Sequence, residues 1–340
     1  MKKTPKTGIT QMADIAEIVG VSTSTVSRAL SDSPLVSEKT RKLIKQVAEE
    51  HSYRVNAAAR NFRVKDSLRV AVLMPKSAYQ NWSISDPFFL ELIAAIAEAL
   101  DDHGHQLLLT RTKPQSGEWI AEFIHNRQAD GVILIGQGSE HKMINELAQR
   151  YRAISVWGAK VDEDQAYPVV GSDNHLGGQR AASHLIERGR QKIAFIGYQE
   201  APEIFQRFLG YQDALNEHGP GFDPNLVPAL QGCSGDPVEE LNWLTEHKVS
   251  FDALFAASDR IAIGAMHHLQ SQGISIPEQV AVVGYDDIPM ASYSHPPLTT
   301  IYQNRSIGAK ILVDNLLEAL DGHKPEALRL DPELIVRQSS

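Results

Sequence analysis

Apolar positions along this chain follow one rhythm up to about residue 50 and another from residue 69 onward. Met12, Ile15, Ala16 and Val19 recur at helical spacing on one stripe, and Gly20 supplies a turn that a Cβ-free residue makes easily. Ser22 and Thr23 are N-cap types ahead of a second helix whose buried side is Val26, Ala29 and Leu30. A third helix opens at Ser37 and carries Leu43, Ile44, Val47 and Ala48, closing a small core. The spacing therefore predicts a helix-turn-helix of residues 12–30 followed by a supporting helix. Ser22, Thr23, Ser24, Thr25, Ser27 and Arg28 are left free of that core. Short hydroxyl side chains and an arginine on the first turns of a recognition helix suit phosphates and base edges in a DNA major groove.

From Arg69 the pattern changes to short apolar runs: Val70–Leu73, Gln106–Leu109, Gly131–Ile135, Ala153–Val156, Lys192–Ile196, Ala253–Phe255 and Val280–Val283. Amphipathic stretches such as Phe88–Leu100 and Leu176–Ile186 lie between them. This is βαβ repetition, which predicts parallel sheets covered by helices. The rhythm breaks near 157–172 and restarts, as expected of two similar α/β lobes. Ligands of such sheets bind at the carboxyl ends of the strands, so the cleft between the lobes is the expected site. Leu298–Ile301 and a helix over Ser306–Leu320 are expected to cross back over it.

Charge sharpens the division. Residues 1–69 hold 13 Lys and Arg against 7 Asp and Glu, a balance of +6, and the whole chain is −9, which leaves −15 on the remainder. A basic end on an acidic body is the layout expected when one end meets phosphate backbone. No apolar run reaches the roughly 18 residues of a membrane span, and Met1-Lys2-Lys3 leads into polar residues, so a cytoplasmic protein is expected. With Cys233 the single cysteine and no trusted ligand spacing among the histidines, neither a disulfide nor a metal or other cofactor is expected. No P-loop, nucleophile elbow or dinucleotide fingerprint stands in the right context, which argues against an enzyme.

The residues resemble the lactose-repressor (LacI/GalR) family of bacterial transcription regulators over nearly the whole chain. The matching segments include Asp14–Ser22 with Thr25-Val26-Ser27-Arg28, Asn56-Ala57-Ala58-Ala59-Arg60 and Ser172-Asp173-Asn174. Others are Arg207 with Gly210-Tyr211, Ala257-Ser258-Asp259, Gly284-Tyr285-Asp286-Asp287 and Pro297–Ile301. The resemblance implies an α/β protein in four parts: a flexible tail (1–9), a helix-turn-helix headpiece (10–54), a hinge helix and linker (55–68), and a two-lobed core of the type I periplasmic-binding-protein fold (69–340). It implies a homodimer on a palindromic operator, and the short end after Leu334–Val336 leaves no heptad tail for a tetramer.

The same resemblance assigns residues. Val55–Arg63 is too short to be a stable helix alone, given that isolated helices below about 12 residues are marginal. In the family, paired hinge helices enter the minor groove, which brings Asn56, Ala59 and Phe62 to DNA; Phe62 stands where an apolar wedge, usually Leu, parts two base pairs. Arg207 matches the effector-binding arginine and Asp286 the ligand-binding acid. Ser258, Asp259, Asp173, Glu203 and Gln303 fall at or beside cleft-lining positions, and Phe88, Phe89 and Trp157 offer faces for a sugar ring. Asp259 equally suits a cap of the helix Ile261–Leu269, and Phe89 suits the dimer or lobe core. Two departures stand out: Gln231–Ser234 lacks an aromatic, and the loop Lys76–Ser85, with Tyr79 and Trp82, is longer than usual. Acids with an arginine favour a neutral sugar or small oligosaccharide as effector, with a nucleoside as the alternative. The expected function is a regulator, on balance a repressor, of sugar-utilisation genes; whether the effector releases or promotes DNA binding stays open. A sugar-transport protein shares the core fold, but the basic headpiece and the missing signal peptide count against it.

Overall fold

The structure is a computed structural model, and it describes residues 11–51, 53, 69–75, 84–112, 126, 128–137, 140–162, 164–228 and 237–340. The chain divides into two compact units, 1–67 and 68–340.

In the first unit, helices α1 (Met12–Val19), α2 (Thr23–Leu30) and α3 (Glu38–Glu50) enclose a core of Ile15, Ala16, Val26, Ala29, Val36, Ile44, Val47 and Ala48. Their ends follow from local chemistry. Gly20 sits at φ 74°, in the left-handed region, and ends α1. The Ser22 hydroxyl accepts the Thr25 N–H at 3.2 Å and the Ser37 hydroxyl accepts the Thr40 N–H at 3.3 Å, so each opens a helix as a side-chain cap. Arg41 donates to the carbonyls of Ser33 and Val36, at 2.9 and 3.1 Å, pinning the α2–α3 connection. Leu43 corrects the sequence reading: it is 47% exposed, and Tyr53 packs against the core instead.

Lobe 1 of the second unit is a six-stranded parallel sheet in the order β10-β5-β4-β3-β1-β2. Its strands are β1 (Arg69–Pro75), β2 (Gln106–Thr112), β3 (Gly131–Ile135), β4 (Ile154–Trp157), β5 (Val169–Ser172) and β10 (Leu328–Leu330). Alternate residues of β1 and β3 feed two separate cores. Val70, Val72, Ile133 and Ile135 pack under helices α4 (Pro87–Asp102) and α11 (Arg305–Leu320). Ala71, Leu73, Val132 and Leu134 pack under α5 (His141–Ala148). Both faces are covered, which is why these strands read as unbroken apolar runs.

Lobe 2 is the second α/β layer structure that the restarted rhythm predicts. Among the described residues its parallel sheet has three strands in the order β6 (Ile193–Ile196), β7 (Ala253–Ala256), β8 (Ala281–Val283). Around it lie α6 (Asn174–Glu187), α7 (Pro202–His218), α8 (Pro237–Glu246) and α9 (Asp259–Ser271), with the short α10 (Pro289–Tyr293) after β8. Strand β9 (Thr300–Tyr302) runs beside the β8 end through single bridges and pairs antiparallel with β11 (Glu333–Ile335). The chain passes between lobes three times, at β5–α6, β9–α11 and β10–β11, so the return crossing expected after Leu298 is present.

Candidate functional site

Ligands of parallel sheets bind beyond the carboxyl ends of the strands, and three expected residues follow such ends here: Asp173 after β5, Ser258 after β7 and Asp286 after β8. Arg207, on α7 of lobe 2, is the centre of the group at 7% exposure. Its Nε donates to Asn174 Oδ1 at 2.8 Å and its Nη1 to the Ala257 carbonyl at 2.5 Å. The guanidinium lies 3.6 Å over the Tyr285 ring, and Nη1 stands 3.7 Å from Asp286 Oδ1. Stacking and a fixed fork of donors orient the plane toward Asp286. Two glycines make this possible: a Cβ on Gly178 would come within 2.0 Å of the Arg207 carbonyl oxygen, and one on Gly210 within 1.9 Å of that of His175. Helices α6 and α7 therefore approach backbone to backbone and set Arg207 beneath Asn174.

Asp286 follows β8 at φ 116°, a conformation that an L side chain rarely adopts, and Asp287 follows at φ 51°. The turn is held from outside itself. Gln303 Nε2 donates to Asp286 Oδ1 at 2.5 Å, Arg305 donates to the Asp286 and Asp287 carbonyls, and Arg337 meets Asp287 Oδ1 at 2.6 Å. Arg305 also pairs with Glu91 of α4 at 2.5 Å, so one side chain ties the turn of lobe 2 to lobe 1. Burial pushes the Asp286 carboxyl up to about 7, against the pull of Arg207 and Gln303 and with the help of the Asp86 charge. A second tie joins the lobes where Arg260 of α9 meets Asp86, the N-cap of α4, at 3.3 Å. Asp86 is itself shifted upward, by burial, against the Phe88 N–H and Arg260.

The other expected pocket residues separate into groups. Asp173 and Ser258 are helix caps: their side chains accept from Leu176 N at 3.0 Å and Ile261 N at 3.3 Å. Ser258, not Asp259, thus caps α9. Asp259 is fully buried, with its carboxylate taken by the Ile288 N–H at 2.8 Å and the Thr300 hydroxyl, and burial together with the Asp286 charge raises it well above the usual range. It fastens the Asp286 turn from behind. Gln303, 1% exposed, is spent on Asp286. Glu203 is buried where α7 faces the lobe 1 wall. Phe88, Phe89 and Trp157 correct the sequence reading: they lie at 6, 9 and 5% exposure in the lobe 1 core, Phe88 against Trp157 at 6.2 Å and Trp157 against Gly308 of α11. Rings packed under α11 are withdrawn as open stacking faces.

Among the residues expected at DNA, Ser22, Thr23, Ser24 and Arg28 are exposed on the start and outer side of α2, and Thr25 and Ser27 are half-buried. The Ser22 hydroxyl is shared with Ser24 and Thr25, each at 2.8 Å, and caps the helix. Asn56, Ala59 and Phe62, the loop residues Tyr79 and Trp82, and Gln231–Ser234 lie outside the described residues. Sequence reasoning did not single out Asn174, Tyr285, Arg260 or Arg305. The first two stand inside quoted motifs, which was the available signal; the two arginines had none. Among the described residues no His, Cys, Asp and Glu group is arranged to hold a metal, and no helix is long and apolar enough to cross a membrane.

A three-helix unit with a hydroxyl-lined second helix, in one chain with a two-lobed α/β core that carries a buried Arg–Asp pair at its strand ends, defines a ligand-responsive DNA-binding regulator. Residues 11–56 match the model of bacterial regulatory proteins of the lacI family, and residues 182–340 match a periplasmic binding protein-like domain. The chain is 30% identical over 318 residues to the HTH-type transcriptional regulator AscG of Escherichia coli strain K12, covering 92% of this chain and 93% of that one. Among solved structures it matches the transcriptional regulator CelR–cellobiose complex, with 28% identity, TM-score 0.70, and 98% and 100% of the two chains covered. It also shares the fold of the lac repressor dimer bound to operator and the anti-inducer ONPF, at 23% identity, TM-score 0.77, and 98% and 99% coverage. The chain belongs to the lacI family of bacterial transcriptional regulators, which are not enzymes.

Proposed function

We propose that this regulator binds a palindromic operator as a homodimer and responds to a neutral sugar or small oligosaccharide held between Arg207 and Asp286. Residues 10–54 form the DNA-reading headpiece, 55–68 the hinge, and 69–340 the effector and dimer core. Ser22 through Arg28 supply the base and phosphate contacts, with Asn56, Ala59 and Phe62 added by the hinge. The observation that carries the sugar reading is the buried Arg207–Asp286 pair, 3.7 Å apart at the strand ends: opposite charges in one cleft suit a vicinal hydroxyl pair, donor to one and acceptor from the other. A sugar phosphate would need more cations than the cleft residues offer. The cellobiose in the similar CelR structure supports the same ligand class. Calorimetry of the protein with cellobiose, other glucosides, nucleosides and sugar phosphates tests it. Binding confined to neutral sugars is expected, and tight binding of a sugar phosphate or purine with no sugar bound would overturn it.

A further inference from the structure

Glu203 is a buried acid at the cleft that the sugar reading does not use and that no hydrogen bond among the described residues accounts for. It stands in the first turn of α7, on lobe 2, yet part of what buries it belongs to lobe 1: its Oε1 lies 3.2 Å from where a Cβ on Gly158 would sit. Its exposure is 8%, and among the described residues neither carboxylate oxygen has a hydrogen-bonding partner outside its own residue. The neighbours that would serve are committed elsewhere. The Gln137 amide is closed on the Ala159 backbone, donating to its carbonyl and accepting its N–H at 3.1 Å. The Tyr167 hydroxyl pairs with His141 Nδ1 at 2.7 Å, and His141 Nε2 with Asp162 at 2.9 Å. Arg207, one turn further along α7, is spent on Asn174, Ala257 and Asp286. The seam is a contact between lobes, since Gln206 donates across it to the Lys160 carbonyl at 2.9 Å.

We propose that Glu203 makes closure of the two lobes conditional on a hydrogen-bond donor reaching its carboxyl, so that closure of the lobes without effector takes up a proton. An ionised carboxylate buried without a partner is among the costliest groups in a protein interior, whereas its protonated form carries a donor of its own. Parting the lobes returns the group to water and releases the proton. Burial raises the Glu203 carboxyl above its ordinary value, opposed in part by its own N–H and by Arg207, in agreement with this geometry. Under the sugar reading, on which this last step rests, an effector hydroxyl does the proton's work and the closed cleft becomes available at neutral pH.

The closed state then holds one proton more than the open state, so the ratio of closed to open falls by up to about tenfold per pH unit above the open-state value. Pulsed dipolar spectroscopy on the full chain reads this without any effector. Spin labels are placed at Glu146→Cys on α5 and Glu246→Cys on α8, both exposed positions, with Cys233→Ser removing the native thiol. Dilution with unlabelled chain leaves only distances within one chain. The wild-type background is expected to show the short, closed distance at pH 5.5 and at least a fivefold smaller closed population at pH 8. Glu203→Gln, whose amide brings its own donors, is expected to keep the closed distance at both pH values. Identical wild-type distances at the two pH values, or the same pH shift in Glu203→Gln, would overturn the proposal. The wild-type arm holds even if the variant folds poorly, and either result leaves the identity of the effector untouched.

Discussion

The headpiece and the cleft both present polar side chains for recognition, but they hold them in opposite ways. In the headpiece the side chains proposed to meet DNA are exposed and are placed by neighbours within a few residues: Ser22 by the Thr25 N–H, Arg28 by the helix that Ser22 opens. In the cleft the side chains proposed to hold effector are buried, and each is placed by residues well separated along the chain. Arg207 is fixed from Asn174 and Ala257, and Asp286 from Gln303 and Arg305. Local placement is cheap to change and costs recognition alone. Distant placement couples recognition to the stability of the lobes, which is what a ligand-driven switch requires.

Removing the buried arginine should show the difference most. Arg207→Ala leaves Asp286 buried without its cation and Asn174 without its donor, and is expected to destabilise the core by about 3–5 kcal/mol in urea unfolding. The headpiece transition should not move. A loss below about 1 kcal/mol would mean that the pair is not the core's electrostatic centre. In the headpiece, Arg28→Ala is expected to weaken operator binding by about 1–3 kcal/mol in gel shifts while leaving stability within about 0.5 kcal/mol. Retained discrimination between operator and random DNA would remove Arg28 from the reading face. Ser22→Ala should cost the headpiece about 1 kcal/mol through its lost cap, with the core unchanged.

The same contrast explains what the sequence disclosed. The three helices, their caps and most of the strands were legible because spacing at three and four, or an unbroken apolar run, is local information. Arg207 and Asp286 were legible only through resemblance, and their partners Asn174 and Tyr285 were not, because nothing along the chain says that residues 33 and 78 positions from Arg207 meet it in space. The aromatic residues failed for a related reason. Phe88, Phe89 and Trp157 have the same local pattern whether they face a ligand or α11, and only the return of α11 to lobe 1 decides it. Leu43 shows that a helical stripe has an edge that spacing does not locate. The pairing of β10 with β5 was not legible, because β10 joins lobe 1 from sequence beyond lobe 2.

A smaller effect separates the regions by pH. Asp286 is raised from 3.8 to about 7 by burial, so the folded core keeps a proton that the unfolded chain gives up. Its contribution is full below about pH 4 and is lost as pH rises through about 7, above which both states are ionised. Asp286→Asn should flatten that part of the core's stability profile. An equal slope in the variant would assign the titration to another acid, with Asp259 the first to test.

The central claim is that the cleft governs the headpiece, and operator affinity measured with and without saturating cellobiose, or the sugar that calorimetry selects, tests it directly. Arg207→Lys is the control, since lysine keeps a charge beside Asp286 but lacks the planar fork. For the wild type the sugar is expected to change operator affinity by roughly 5- to 150-fold in one direction, and for Arg207→Lys by much less. A bound sugar that leaves wild-type operator affinity unchanged, or an equal response in Arg207→Lys, would contradict it.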